Sequence, residues 1–266
     1  MIDFNLTASV NLGTMKSLIH SLFPALLVFA FAMSTGCSSA DKIDTNTPEG
    51  AFKLGQKYEK DERFEEAIVQ YNTVKNKHPY SKLATEAELR IAEIHFEREE
   101  FIEAQAAYQT FKEMHPSHPR IDYVTYRLGL SFFNQLPSTI DRDLSVADRA
   151  ILYLDEVMNS YSASPYVKEA QEYKTKALKM LAEKEFYIGN FYFIREKFES
   201  ALGRFEGLLS RYPGLGQDAK ALYGAAVSAY KTKDLGKAKT YYQRLVTEYK
   251  DSEEAKKARH EIGSRI

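Results

Sequence analysis

The chain has 266 residues, 44% of them hydrophobic and 27% charged, with a formal net charge of -1. This charge balance removes the electrostatic case for nucleic acid, which needs a strongly basic face, while the apolar fraction is that of a folded soluble chain. A single cysteine excludes any intramolecular disulfide, and 18 Tyr and 16 Phe without any Trp supply the large rigid surfaces that helix–helix interfaces use.

The first 36 residues read as an address. Met15-Lys16 opens a short positive region, an apolar run extends from Leu22 to Met33, and Ser34-Thr35-Gly36-Cys37 closes it. The run is shorter than the roughly 20 residues of a membrane span, and the order of charge, apolar core and small residues is that of a secretory signal. Asp3, Asn5 and Thr7 do not suit a signal, so Met15 is the expected start. Small residues before Cys37 resemble a bacterial lipobox, which implies a covalent N-terminal lipid, palmitate included, on Cys37. Ser34 departs from the usual Leu of that motif, and an ordinary signal peptide with a chance cysteine is the alternative. Ser38 in place of Asp goes, by the same resemblance, with delivery to the outer membrane. Residues 37–47 form a polar tether.

From Pro48 onward one pattern recurs. Leu54-Gly55-x-x-Tyr58, Phe64-x-x-Ala67-x-x-x-Tyr71 and His78-Pro79 return 37 residues later as Ile91-Ala92-x-x-His95, Phe101-x-x-Ala104-x-x-x-Tyr108 and His115-Pro116. Gly129 with Ala150, Gly189 with Ala201, and Ala226 with Ala238 mark three further copies. The small residues let paired helices approach closely, Phe64, Ala67, Ile68, Tyr71 and Val74 form an apolar helical stripe, and Pro79, Pro116 and Pro213 end helices. Thr47-Pro48 and Ser164-Pro165 place a capping side chain before a proline at a first helical position. The predicted fold is all-α, a right-handed α-solenoid of about five tetratricopeptide-type helix pairs. In the third copy a loop carries Asp141-Arg142-Asp143, expected to be held by ion pairing. After Ser164-Pro165 the helical pattern continues to about Arg195, which predicts one long connecting helix and a semi-rigid spacer. Repeats 1–3 then occupy 48–164, and the long helix with repeats 4–5 occupies 165–266.

Residues suited to chemistry are scattered rather than grouped. There is no H-E-x-x-H, and His115-Pro116-Ser117-His118 lacks a carboxylate or Cys at ligand spacing, so no metal is expected. Gly214-Leu215-Gly216 has no G-K-[ST] after it, and no G-x-S-x-G occurs. The reading is a non-enzyme with no catalytic residue and no cofactor beyond the lipid. In stacks of this kind the first helices line the inner groove, at positions six and three before the small residue and one and four after it. These positions select Phe52, Leu89, Phe96, Tyr126 and Phe133 as an aromatic and apolar peptide groove with a few acids, some of them packing against neighbouring helices instead.

Several stretches together resemble the BamD family of outer-membrane assembly lipoproteins. They are the lipobox, the five repeats, Asp141-Arg142-Asp143, Leu181-Ala182-Glu183-Lys184-Glu185-Phe186, and Arg204-Phe205-Glu206-Gly207 leading to Arg211-Tyr212-Pro213. The likeness covers nearly everything after Cys37. Lys250 departs from it, standing where a closing proline would be. The resemblance implies a scaffold anchored by its lipid in the outer membrane and facing the periplasm. Its partners would be the POTRA domain of BamA, other assembly-complex lipoproteins, and the signal peptides of unfolded outer-membrane proteins. It places Arg204 on the BamA-facing surface, with Glu206 as the second candidate. A generic periplasmic tetratricopeptide adaptor for cell division or envelope maintenance is the alternative.

Overall fold

Thr47 starts the first helix by a local device: its hydroxyl accepts from the Gly50 N–H at 3.1 Å, with Pro48 at the first helical position. The computed structural model describes residues 43–266, so the signal-like stretch and Cys37 lie outside the described residues. Among these, the helices are α1 (Pro48–Lys60), α2 (Phe64–Lys77), α3 (Lys82–Glu97), α4 (Phe101–Met114), α5 (Ile121–Asn134), α6 (Ala147–Ser160), α7 (Val167–Phe193), α8 (Phe198–Arg211), α9 (Asp218–Lys231), α10 (Leu235–Glu248) and α11 (Glu253–Glu261). Each packs against the next, and residues 45–266 form one unit, an α-solenoid.

Four of the hairpin turns share one backbone feature. Glu62, Glu99, Glu196 and Lys233 adopt φ of 57°, 60°, 56° and 66°, the left-handed region that non-glycine residues rarely occupy. Each lies between the two helices of a pair, and the chain reverses in three residues at Glu62, Glu99 and Lys233 and in four at Glu196. The third pair lacks this turn; residues 135–146 replace it. Pro79, Pro116 and Pro213 each stand two residues beyond a helix end, at Lys77, Met114 and Arg211.

The core is built where a large side chain of a second helix presses on a small residue of a first helix. Ala67, Ala104, Ala150, Ala201 and Ala238 are fully buried. At Gly55 an added Cβ would lie 2.8 Å from the buried Tyr71 ring, and at Gly224 it would lie 2.3 Å from the buried Phe205 ring. No side chain larger than hydrogen fits at either position.

Two local expectations are corrected. Ser164-Pro165 does not cap the long helix: α7 starts at Val167 with Tyr166 as its N-cap, and the Ser164 hydroxyl accepts from the Tyr166 N–H at 3.3 Å inside the preceding turn. The Asp141-Arg142-Asp143 loop is held by hydrogen bonds rather than by an ion pair. Asp143 accepts from the Ser145 N–H at 2.9 Å and from its hydroxyl at 2.7 Å, and the Lys184 ammonium of α7 donates to the Arg142 carbonyl. These contacts hold both exposed carboxyls below their usual range, Asp141 through the Thr139 hydroxyl and Asp143 through Ser145.

The two kinds of helical glycine respond oppositely to alanine. Gly224→Ala forces a methyl into the Phe205 ring, and a net loss of about 1–2 kcal/mol is expected after its helix-propensity gain is counted. Gly203, in α8 with open space around its Cβ position, gains about 0.5–1 kcal/mol as alanine. Urea unfolding followed by circular dichroism measures both.

Candidate functional site

The inner face of repeats 1–3 holds a cavity of about 690 Å³ whose floor is ionic. Arg90, on α3, binds Glu59 of α1 and, at 2.6 Å, Glu93 of its own helix. Arg120 reaches the other oxygen of Glu93 at 2.7 Å. Glu93 is buried, and the two guanidiniums that flank it each meet one of its carboxylate oxygens. Burial works against the Arg90 charge, but Glu93 and Glu59 more than offset this and its pKa is raised. Arg127, on α5, lies 3.6 Å over the Phe96 ring centroid and donates to the Tyr108 hydroxyl at 3.4 Å. Glu97 and Glu99 stand at the rim.

The groove therefore differs from the apolar one that the spacing rule describes. Leu89 and Tyr126 are buried core residues, not groove walls: Leu89 packs with Tyr108 and Leu128, and Tyr126 stacks on Tyr166 at 5.0 Å while its hydroxyl donates to Glu169 at 2.6 Å. The physical reason is the neighbouring repeat, which covers these positions. Phe52 and Phe133 are half-buried against Tyr71 and Tyr173. Phe96, half-buried, does line the cavity, together with Tyr123 and Phe101. Arg90, Arg120 and Arg127 fall outside the rule. A signal was present, since Arg90 and Arg127 stand 37 residues apart, at one position of the repeat.

A second surface surrounds Arg204 on α8. Arg204 and Arg211 share one carboxylate, that of Glu185, at 3.3 and 2.9 Å, and both guanidiniums stay largely exposed. They line a shallow cavity of about 380 Å³ with Tyr192, Glu199 and Ser200. Glu206 points elsewhere: it accepts from Lys237 at 2.9 Å and from the Tyr241 hydroxyl at 2.8 Å, tying α8 to α10. Its carboxylate is thus engaged within the chain, unlike the exposed donors of Arg204.

Helix pairs stacked in this way define a tetratricopeptide-type α-solenoid. The chain belongs to the family described as outer membrane lipoprotein, YfiO, whose model matches residues 44–222; a tetratricopeptide-repeat model matches 220–252. It is similar to proteins named outer membrane protein assembly factor BamD. The one from Xylella fastidiosa is 27% identical over 84% of this chain and 80% of the relative. That from Pasteurella multocida is 24% identical over 79% and 82%. That from Caulobacter vibrioides is 26% identical over 63% of this chain, and the match spans only 54% of that relative. Among solved structures, the TPR2AB-domain:pHSP90-complex of yeast Sti1 is similar at 16% identity over 78% of this chain and 80% of that one, with a TM-score of 0.40, too distant to carry an argument. Among the described residues no helix is long and apolar enough to cross a membrane.

Buried tyrosines join the groove to the core. Burial, assisted by Glu59 at Tyr71 and by Glu169 at Tyr126, raises the pKa of both, and burial raises that of Tyr108. Tyr241 is pushed up to about 12 by burial and by Glu206. The folded state therefore keeps these protons after the unfolded chain, with tyrosines near 10, has lost its own. Stability from this source is complete below about pH 10 and falls as pH rises toward about 12. Urea midpoints measured at about pH 8 and about pH 11 are expected to drop at the higher value.

Proposed function

We propose that this chain is the lipoprotein scaffold of an outer-membrane β-barrel assembly complex, binding the barrel-forming subunit BamA through its POTRA domain and receiving signal peptides of incoming outer-membrane proteins. The observation that supports this most is membership of the outer membrane lipoprotein family, with relatives named as assembly factors. In this reading residues 1–36 direct export, Cys37 carries the lipid, and residues 37–47 tether the solenoid to the periplasmic face of the outer membrane. Other assembly-complex lipoproteins complete the partner set.

Two surfaces divide the work. The groove of repeats 1–3 offers fixed donors and acceptors from Arg90, Glu93, Arg120 and Arg127, with ring edges from Phe96 and Tyr123. An extended peptide presents backbone N–H and C=O groups along its whole length, and such a surface pairs with them while the rings take side chains. Phe52 and Phe133 flank this path. Arg204 is the candidate for a carboxylate of BamA, because Glu185 alone cannot satisfy two guanidiniums and a second carboxylate would complete the cluster. Recognition and placement are the tasks of this subunit, so no bond chemistry is assigned to it.

Affinity purification of the lipidated chain, read by mass spectrometry, tests the reading. BamA is expected as the dominant partner, reduced about tenfold by Arg204→Glu. Full recovery with Arg204→Glu would remove Arg204 from the interface, and absence of BamA from the unmodified sample would remove the function. For the anchor, Cys37→Ser is expected to abolish metabolic labelling by palmitate; persisting label would place the lipid elsewhere.

A further inference from the structure

The long helix breaks the stack in a way that leaves one face uncovered. In the regular repeats the second helix of one pair runs beside the whole first helix of the next. The end of α3 meets the start of α2 through Arg98 and Glu65 at 2.6 Å. The end of α5 meets the start of α4 through Gln135 and the Phe101 carbonyl at 3.3 Å, and the end of α9 meets the start of α8 through Lys231 over the Phe198 ring. Beside α7 the pattern fails. Asp155 of α6 pairs with Lys174 at 2.6 Å, but by Lys184 the neighbour is already the loop before α6, at the Arg142 carbonyl. Among the described residues the last turns of α7, from Lys184 to Phe193, have no helix on that side, a gap of about 14 Å at 1.5 Å per residue.

What faces the gap is aromatic. Counting from the small residue of each repeat, Phe191 corresponds to Ile94, Ser131 and Ser228, all 0% exposed beneath the preceding helix; Phe191 is 42% exposed. Tyr187 and Ile194, on the same face one turn to either side, are 52% and 66% exposed. Repeat 1 provides the internal control. Among the described residues no helix precedes it in the stack, and its corresponding positions are the exposed lysines Lys53 and Lys57, the polar surface that a terminal repeat needs. Repeat 4 has Tyr187 and Phe191 there instead.

The charges around the gap are polarised. At its upper end stand Arg195, whose guanidinium lies 3.7 Å over the Phe191 ring centroid, and Lys197, with Glu196 between them. At its lower end stand Glu183, Asp141 and Asp143, opposed by Arg142 and by Lys184, which is engaged with the loop carbonyl. A helix filling the gap along the line of α6 would run antiparallel to α7. Its N-terminal turn would face the basic end and its C-terminal turn the acidic end. An acidic first turn and a basic last turn satisfy both, and that is also the distribution the helix dipole favours.

We propose that this face docks a short amphipathic helix of a partner protein, about ten residues long, with acids in its first turn, bases in its last, and an apolar stripe against Tyr187, Phe191 and Ile194. The incoming helix supplies what the stack omits, and it does so on the side of α7 opposite the helix that carries Arg204. The two surfaces can therefore be separated by mutation.

The test uses the purified full chain and hydrocarbon-stapled peptides, since unconstrained helices this short are marginal in water. One peptide carries a Leu stripe with Glu in the first turn and Lys in the last; a second has the same stripe with the charges reversed. The first is expected to bind by fluorescence anisotropy, and Tyr187→Lys with Phe191→Lys, copying repeat 1, to weaken it about tenfold or more. Arg195→Glu is expected to shift preference toward the reversed peptide, and Arg204→Glu to leave both affinities unchanged. Because the substituted side chains are exposed, unchanged thermal melts are expected to accompany these results. Equal binding of the two peptides, or binding indifferent to the double lysine variant, would overturn the proposal. So would sedimentation showing that the double variant dissolves a self-association of the unmodified chain, which would make a second copy the occupant.

Discussion

The solenoid depends on one repeated contact, a large side chain of a second helix pressed against a residue with little or no side chain on a first helix. Tyr71 closes on Gly55, Leu154 on Gly129, and Phe205 on both Gly189 and Gly224. Backbone approach this close leaves no space for a methyl group, so each contact sets the distance and rotation between its two helices. Phe205 serves two contacts at once and joins α7, α8 and α9. Repeating one geometry carries the chain forward by addition, each pair burying the face its predecessor exposes.

The same geometry decides which polar groups can serve as a surface. In repeats 2 and 3 the residues two positions before the small residue are Arg90 and Arg127; Arg90 meets the carboxylates of Glu59 and Glu93, and Arg127 lies over the ring of Phe96. An isolated carboxylate as buried as Glu93 would be costly; held between Arg90 and Arg120 it becomes a fixed acceptor. The inner face of repeats 1–3 is therefore rigid and polar. The surface around Arg204 is more exposed, with two cations sharing one acid. The groove is thus preorganised by its own ion pairs, whereas the cluster around Arg204 keeps an excess of positive charge at the surface.

The third repeat is where the regular addition is interrupted, and the interruption has a physical cause in the chain. The residues 135–146 connection replaces the three-residue turn, and α7 continues through what would otherwise be a helix boundary. A continuous helix cannot adjust its phase between its two ends, so α6 accompanies its first part and α8 its second. The region near Lys184, Glu185 and Arg211 thus becomes a junction where loop, helix and side-chain charges from both sides meet.

The sequence by itself determined the helical class, the repeat and its phase, because close packing restricts small residues to fixed positions and proline to helix ends, and both restrictions are visible as spacing. It also carried the family likeness through Asp141-Arg142-Asp143 and the segment around Arg204. Burial was less legible. Leu89 and Tyr126 satisfy the groove spacing, yet the adjacent repeat covers them, and spacing along one helix contains no information about its neighbour. The acids of the groove, Glu59 and Glu93, do obey the spacing, but their partners Arg90 and Arg120 do not, and the ion pairs arise only when three first helices stand side by side. Glu206 and Arg204, two residues apart, point to different neighbours, and only the packing of α8 against α7 and α10 separates their roles. Local periodicity fixes what a residue can be; the distance between helices, set by the small-residue contacts, fixes which partner it meets.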